Sequence, residues 1–410
     1  MGVGRAKLFR IKGVSRTMTN RFFRGALLPS LALALAATTS IAANAEDGVT
    51  DSTITFGQSA ALEGPASALG IGMREGILAA FAEANRNGGV GGRQLELTSL
   101  DDGYEPERAI SNVQNLISQD KVFGLIGAVG TPTSKATQPI TTDAGVPFVG
   151  PFTGAGFLRA PELTNVINVR GTYGQETEAW IKHLTEDLGY DRIAILYQDD
   201  SFGRVGLAGV NKALEARGLS LVAEGTYKRN TTAVKSALLA IRKADPQAVV
   251  MVGAYKPIAE FIKLARKVKM TSTFVNISFV GSKALAKELG PDGEGVVITQ
   301  CVPFPWDTSI PLVKQYQAAL KANDAAAEPG FVSLEGYMVG RIAIMAIEKA
   351  GGELTRESFV QAVANTGTFD LGGVTLTYGP GDNQGMDEVF LSVIQADGTF
   401  KAVQRLGGAS

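Results

Sequence analysis

Hydroxyl side chains beside glycines, in loops that follow apolar runs, are the residues of this chain best suited to recognition chemistry. Two loops are richest: 128–134 reads Ala-Val-Gly-Thr-Pro-Thr-Ser and 151–157 reads Pro-Phe-Thr-Gly-Ala-Gly-Phe. Consecutive backbone N–H donors and threonine hydroxyls bind a carboxylate without a fixed counter-charge, so these two loops are the strongest candidates for ligand recognition. A third loop, 59–69, opens with Ser59. Three more such loops lie at 199–203, 253–257 and 278–282. Taken singly, each loop also fits ordinary turn and helix-cap chemistry; their recurrence in both halves of the chain favours a shared site.

Catalytic templates find little to work with. A single cysteine, Cys301, rules out an intramolecular disulfide and a cysteine-based zinc site. A single histidine, His183, removes nearly every histidine-based metal or acid–base arrangement, and its expected place is a surface or boundary position. Gly70-Ile71-Gly72-Met73-Arg74-Glu75-Gly76 has the wrong spacing for a dinucleotide fingerprint and lies too far from the preceding strand. Ser118-Gln119-Asp120-Lys121 matches SxxK without the companion triplets and is read as chance. No catalytic residue, metal or cofactor is expected.

The elements that would position these loops alternate. Strands are expected at 54–58, 95–100, 122–127 and 147–150, with helices at 70–84, 105–119 and 133–143. In the second helix Ile110, Val113 and Ile117 recur at three- and four-residue spacing, and Pro106 sits in the first turn, where its missing N–H costs nothing. The alternation restarts after Arg170: helices at 175–188, 203–216, 233–244 and 257–267, strands at 193–198, 221–227, 248–252, 274–277 and 296–300. Repeated βαβ units imply parallel sheets with right-handed crossovers, hence an α/β fold in two lobes. A proline-rich passage at 301–311 precedes helices at 312–322, 332–350 and 356–364, and the stretch 368–403 reads as short strands and turns.

Length agrees with two lobes, since 410 residues exceed one domain of about 150. With 45% apolar and 19% charged residues the composition is that of a folded globular chain. Charge is polarised: the first 45 residues hold seven basic side chains and no acid. Arg16, Arg21 and Arg24 precede an apolar run at 26–37 that ends in Ala43-Asn44-Ala45, the pattern of a secretory signal peptide cleaved near Ala45. That run is too short for the roughly 20 residues that span a bilayer, and either Met1 or Met18 serves as the start. Beyond Ala45, 32 basic residues face 40 acidic ones, a balance of −8 that disfavours nucleic acid or an anionic membrane surface as partner. The expected product is an exported, monomeric protein of the periplasm with no lasting membrane insertion.

Several stretches occur together in a telling order: Gly88-Gly89-Val90-Gly91-Gly92-Arg93, the Asp101-Asp102 pair, Ala136-Thr137-Gln138-Pro139, 145–161 (GVPFVGPFTGAGFLRAP), 197–203 (YQDDSFG) and 332–337 (VSLEGY). With them the chain resembles, over 54–403, the leucine/isoleucine/valine-binding family of periplasmic ABC-transporter substrate-binding proteins. The resemblance implies a type I periplasmic binding protein: two doubly wound parallel-sheet lobes, 51–169 plus 303–373 and 170–300 plus 386–405, joined by a three-crossing hinge. The crossings would fall near 170–172, 300–304 and 373–387, and the cleft between the lobes would take a small-molecule ligand; by position, the resemblance maps its first-lobe contacts onto Gly130, Thr131, Thr133, Phe152, Thr153 and Gly154 and its second-lobe contacts onto Phe202, Tyr255 and Ser278. It further implies capture of a hydrophobic amino acid or related small carboxylate, without catalysis, and delivery to an inner-membrane ABC permease. A periplasmic sensor presenting the same solute to a membrane receptor is the alternative.

Two departures bear on the ligand. Relatives bind the ligand's ammonium with a glutamate after the strand equivalent to 274–277, where an ungapped match places Ser278. A serine hydroxyl does not compensate a buried charge, so the ligand is expected to lack an amine or to have it met by Asp199, Asp200 or Glu335. A hydrophobic or aromatic carboxylate is accordingly favoured over leucine. Relatives also carry a disulfide near the first-lobe site, which one cysteine cannot form.

Overall fold

The strands best hidden from water have the plainest sequences. Ile193–Gln198, apolar up to its terminal Gln198, and the apolar Ala248–Val252 are mostly branched and buried at every position, as strands covered by helices on both faces must be. The computed structural model describes residues 46–407; the expected signal peptide lies outside the described residues. In the first half, β1 (Thr53–Ala60), α1 (Ser67–Arg86), β2 (Gln94–Asp101), α2 (Pro106–Ser118), β3 (Gly124–Ile126), α3 (Thr131–Asp143), β4 (Phe148–Val149) and β5 (Val166–Ile167) follow one another. Their strands form a parallel sheet of order β2-β1-β3-β4-β5.

The second half runs α4 (Tyr173–Lys182), β6 (Ile193–Gln198), α5 (Ser201–Glu215), β7 (Ala223–Tyr227), α6 (Lys235–Lys243), β8 (Ala248–Val252), α7 (Tyr255–Lys267), β9 (Thr273–Asn276), α8 (Ser282–Leu289) and β10 (Val297–Gln300). After α9 (Pro311–Asn323), α10 (Phe331–Ala350), α11 (Arg356–Thr366) and the hairpin β11 (Thr368–Asp370) and β12 (Thr375–Thr377), the chain returns through β13 (Phe390–Ile394) and β14 (Phe400–Val403). The second sheet has the order β14-β13-β10-β9-β8-β6-β7. Strand order reverses between β1 and β3 in one sheet and between β6 and β8 in the other, the switch points outside which α/β sheets bind ligands.

The chain passes between the sheets three times, and the first and third passages run side by side. Asn168 N–H donates to the Asn383 carbonyl at 2.8 Å, and Gly385 N–H donates to the Asn168 carbonyl at 2.8 Å. Arg159 staples both to the 151–157 loop, donating to the carbonyls of Thr153 (3.1 Å), Ala155 (3.0 Å) and Arg170 (2.9 Å) and to Gln384 Oε1 (3.1 Å).

Differences from the sequence reading have local causes. The second sheet ends in an antiparallel pair, because β13 enters from the other half by a long return and not by a βαβ crossover. The one-turn helix Ser278–Val280 and α8 occupy a stretch given no element, since eight residues with Leu285, Ala286 and Leu289 inward carry too short a period to read. The helix containing His183 widens into a π turn over His183–Asp187, where His183 Nδ1 lies 2.7 Å from Asp187 Oδ2. Among the described residues, no helix is long and apolar enough to cross a membrane.

Gly72 and Gly76 serve helix packing, while Gly70 lies against the backbone of Ala61. A Cβ on Gly76 would stand 2.0 Å from the Ser333 carbonyl oxygen, and one on Gly336 would stand 2.3 Å from that of Met73, so α1 and α10 touch backbone to backbone. Gly76→Ala should therefore cost about 1–3 kcal/mol in chemical denaturation. Gly379→Ala, where a Cβ meets nothing within 4 Å, should stay within about 0.5 kcal/mol of the parent. Equal effects of the two substitutions would contradict this packing.

Candidate functional site

The loops after the strands of the two sheets meet in one seam. On the first side β3 leads into α3 through Gly130, whose φ of 100° is in the region that favours glycine. Thr131 then begins the helix, and its hydroxyl lies 2.7 Å from that of Thr153. Gly154 packs against the backbone of Tyr173, where a Cβ would come within 2.6 Å of the nitrogen. Across the seam stand Phe202 at the start of α5 and Phe279 beside Ser278. Phe279 stacks on Phe152 (5.2 Å between centroids, 28°) and lies 4.7 Å from Phe202, which is 5.3 Å from Tyr173.

Gly130, Thr131, Phe152, Thr153, Gly154, Phe202 and Ser278 are thus brought to one seam, and the remaining candidates stand beside it. The Thr133 hydroxyl donates back to the Gly130 carbonyl at 3.0 Å in the first turn of α3. Ser59 donates to Asp102 Oδ2 at 2.9 Å, and burial lifts the Asp102 carboxyl to about 6. Tyr255 is at the mouth, its hydroxyl accepting from Ala68 N–H at 3.4 Å. There a cavity of about 320 Å³ opens between α1, α8 and the start of α10. Rim contacts tie the two sides: Arg229 Nη2 lies 2.7 Å from Glu105 Oε2, and Lys283 Nζ 2.7 Å from Glu328 Oε2.

At the centre is a residue not expected as a contact. Arg170, fully buried in the first passage between sheets, holds its guanidinium 4.8 Å from the Phe152 ring centroid and 5.8 Å from that of Tyr173. Glu176 Oε1 is 3.5 Å from its Nη2 and Glu335 Oε1 is 3.6 Å from its Nε, while Nη2 also donates to the Ser278 hydroxyl. Its Nε and Nη1 make no hydrogen bond. The buried Tyr173 hydroxyl lies beside Thr153, again without a hydrogen bond of regular geometry.

Burial works against the charge of Arg170, and neighbouring Cys301, Glu335 and Glu176 outweigh it, so its pKa lies above the ordinary value. Burial likewise raises the Glu335 carboxyl to about 7 against the pull of Arg170, and it pushes the Cys301 thiol up. One signal of a buried charge was available. Glu176 falls on the stripe Tyr173, Glu176, Thr177, Trp180, Ile181, whose spacing marks the inner face of α4.

The structure alters the reasoning about Ser278. Its backbone N–H and its hydroxyl each donate to Glu176 at 2.9 Å, so a carboxylate from α4 stands against the position where relatives carry a glutamate. Asp199 instead pairs with Arg204 at the surface, and Asp200 caps α5 through Phe202 N–H at 2.9 Å and pairs with Arg229 at 3.0 Å. Of the three acids considered, Glu335 alone faces the seam at Arg170.

Two switch-point sheets meeting at a seam of aromatic walls and unmatched donors describe a binding protein, and the sequence profile of the family described as "Periplasmic binding protein" matches residues 53–399. The chain belongs to that family. A solved structure, that of a possible leucine/isoleucine/valine-binding protein from Rhodopirellula baltica, has 39% identity and a TM-score of 0.82, over 88% of this chain and 98% of the other. The Leu/Ile/Val-binding protein BraC3 of Rhizobium johnstonii is 28% identical over 331 residues, 80% of this chain and 87% of that protein. The leucine-, isoleucine-, valine-, threonine- and alanine-binding protein of Pseudomonas aeruginosa is 25% identical, over 86% of this chain and 91% of its own. These relatives are named for binding and not for catalysis.

Glu335 gives a pH test of the site. Its raised pKa means that its contribution to stability is fully present below about 4.5, the ordinary value, and lost as pH rises through 7. Glu335→Gln carries the neutral form at every pH, so it should gain on the parent by up to about 3 kcal/mol between pH 4.5 and 8 in denaturant titrations. A difference that is flat across that range would contradict the burial of this carboxyl.

Proposed function

We propose that this chain captures, in the periplasm, a small carboxylate with an apolar body, specifically a hydrophobic amino acid, and delivers it as a monomer to an inner-membrane ABC permease. The single observation that carries this reading is Arg170. A fully buried guanidinium with two nitrogens unbonded is costly, and a ligand carboxylate would answer them. The Thr131 and Thr153 hydroxyls and the N–H groups at the start of α3 offer further donors, and Phe152, Tyr173, Phe202 and Phe279 offer apolar walls. Phe279 fills the seam in the closed arrangement, so entry requires the lobes to part about the three passages.

Of the two expectations, a ligand without an amine or an amine met by Asp199, Asp200 or Glu335, the position of Glu335 supports the second. Glu335 lies 3.6 Å from Arg170, is buried, and can take an ammonium while Arg170 takes the carboxylate. The names of the relatives, binders of leucine, isoleucine and valine, support the same class.

Calorimetry with leucine and with 4-methylpentanoate, its counterpart lacking the amine, tests the reading. An ammonium favours ionised Glu335, so leucine should bind about tenfold or more tightly at pH 7.5 than at pH 5.5, with proton release. The simple acid favours the protonated form and should bind less tightly as pH rises. Thr131→Val and Thr153→Val should each weaken leucine roughly tenfold while leaving the fold intact. Absence of binding for both compounds would overturn the proposal, and an affinity for leucine that falls with pH would remove Glu335 from the ammonium site.

A further inference from the structure

Five non-glycine residues among those described have positive φ, and four of them, Lys121, Asn230, Asp245 and Lys269, are exposed or half-buried. The fifth is Tyr104, fully buried, with φ of 63°. A bulky side chain in the left-handed region is costly and persists where its surroundings fix it. Those surroundings are clear. Asp102 Oδ1 accepts from Tyr104 N–H at 2.8 Å on one side, and Glu105 is held by Arg229 (2.7 Å) and Asn230 (2.8 Å) on the other. Asn230 also donates to the Gly103 carbonyl at 3.0 Å.

The strained backbone aims the ring into the seam. It lies so close over Gly130 that a Cβ there would come within 2.1 Å of Tyr104 Cε2. On the opposite side the ring is 5.8 Å from Phe279, and its hydroxyl accepts from Gln198 Nε2 at 3.4 Å, at the end of β6. Tyr104 therefore touches the loop after β3 at Gly130 and the end of β6 at Gln198, beside the switch point of each sheet. We infer that Tyr104 is a specificity-determining residue, the end wall that limits how long an apolar ligand body the closed seam accepts. This inference rests on the carboxylate reading of the site.

Tyr104→Gly removes the wall and suits the positive φ, so it should fold; Tyr104→Phe keeps the ring and drops the hydroxyl. The probes are leucine and phenylalanine, each with its counterpart lacking the amine, measured by calorimetry on the full mature protein. In Tyr104→Gly the affinity for the aromatic member relative to the leucine-sized member should rise at least tenfold, and in Tyr104→Phe that ratio should stay within about threefold of the parent. A folded Tyr104→Gly protein with the parent's ratio would overturn the inference while leaving the carboxylate reading standing. A parent protein that binds none of the four compounds would overturn both.

Discussion

A fully buried guanidinium must be answered from every side, and the seam between the two sheets is arranged around that requirement at Arg170. Its partners come from separate parts of the chain: Glu176 from α4, Glu335 from α10, and Ser278 from the turn after β9. Glu176 is in turn held by Ser278 and by the Thr299 hydroxyl of β10. Removing one member of such a group strands the others in a medium of low polarity, at a cost of about 3–5 kcal/mol. The charges therefore fix the relative positions of elements far apart in sequence, and the Arg170 Nε and Nη1 atoms make no hydrogen bond within the chain.

Around this centre the fold serves two ends. The parallel sheets deliver glycine- and hydroxyl-bearing loops to the seam at their switch points, where helix starts offer free N–H groups. The three passages between sheets lie next to the charged group, since Arg170 belongs to the first of them and Cys301 to the second. Arg159 ties the 151–157 loop to the first and third passages.

Much of this was legible in the sequence because it depends on local patterns. β6 and β8 were read to the residue, being apolar runs bounded by turn residues, and the 128–134 and 151–157 loops were identified from glycines and hydroxyls alone. What escaped notice depends on contacts between distant residues. Arg170 looked like a hinge residue because nothing near it in sequence announces burial; its carboxylates are six and 165 positions away. Phe279 fell in a loop with no readable period, and the contact of Ser278 with Glu176 joins residues 102 positions apart. Tyr104 gave no signal either, since a positive φ follows from what grips its neighbours and not from its own side chain.

In the proposed reading Arg170 meets the ligand carboxylate, and the Nε–H resonance of that side chain reports the contact directly. In ¹H–¹⁵N spectra of the mature protein, assigned with an Arg170→Lys variant, the Nε–H signal should move downfield on saturation with leucine, as a hydrogen bond to a carboxylate oxygen forms. A signal unchanged by a ligand shown to bind by calorimetry would place the carboxylate elsewhere and contradict the central claim.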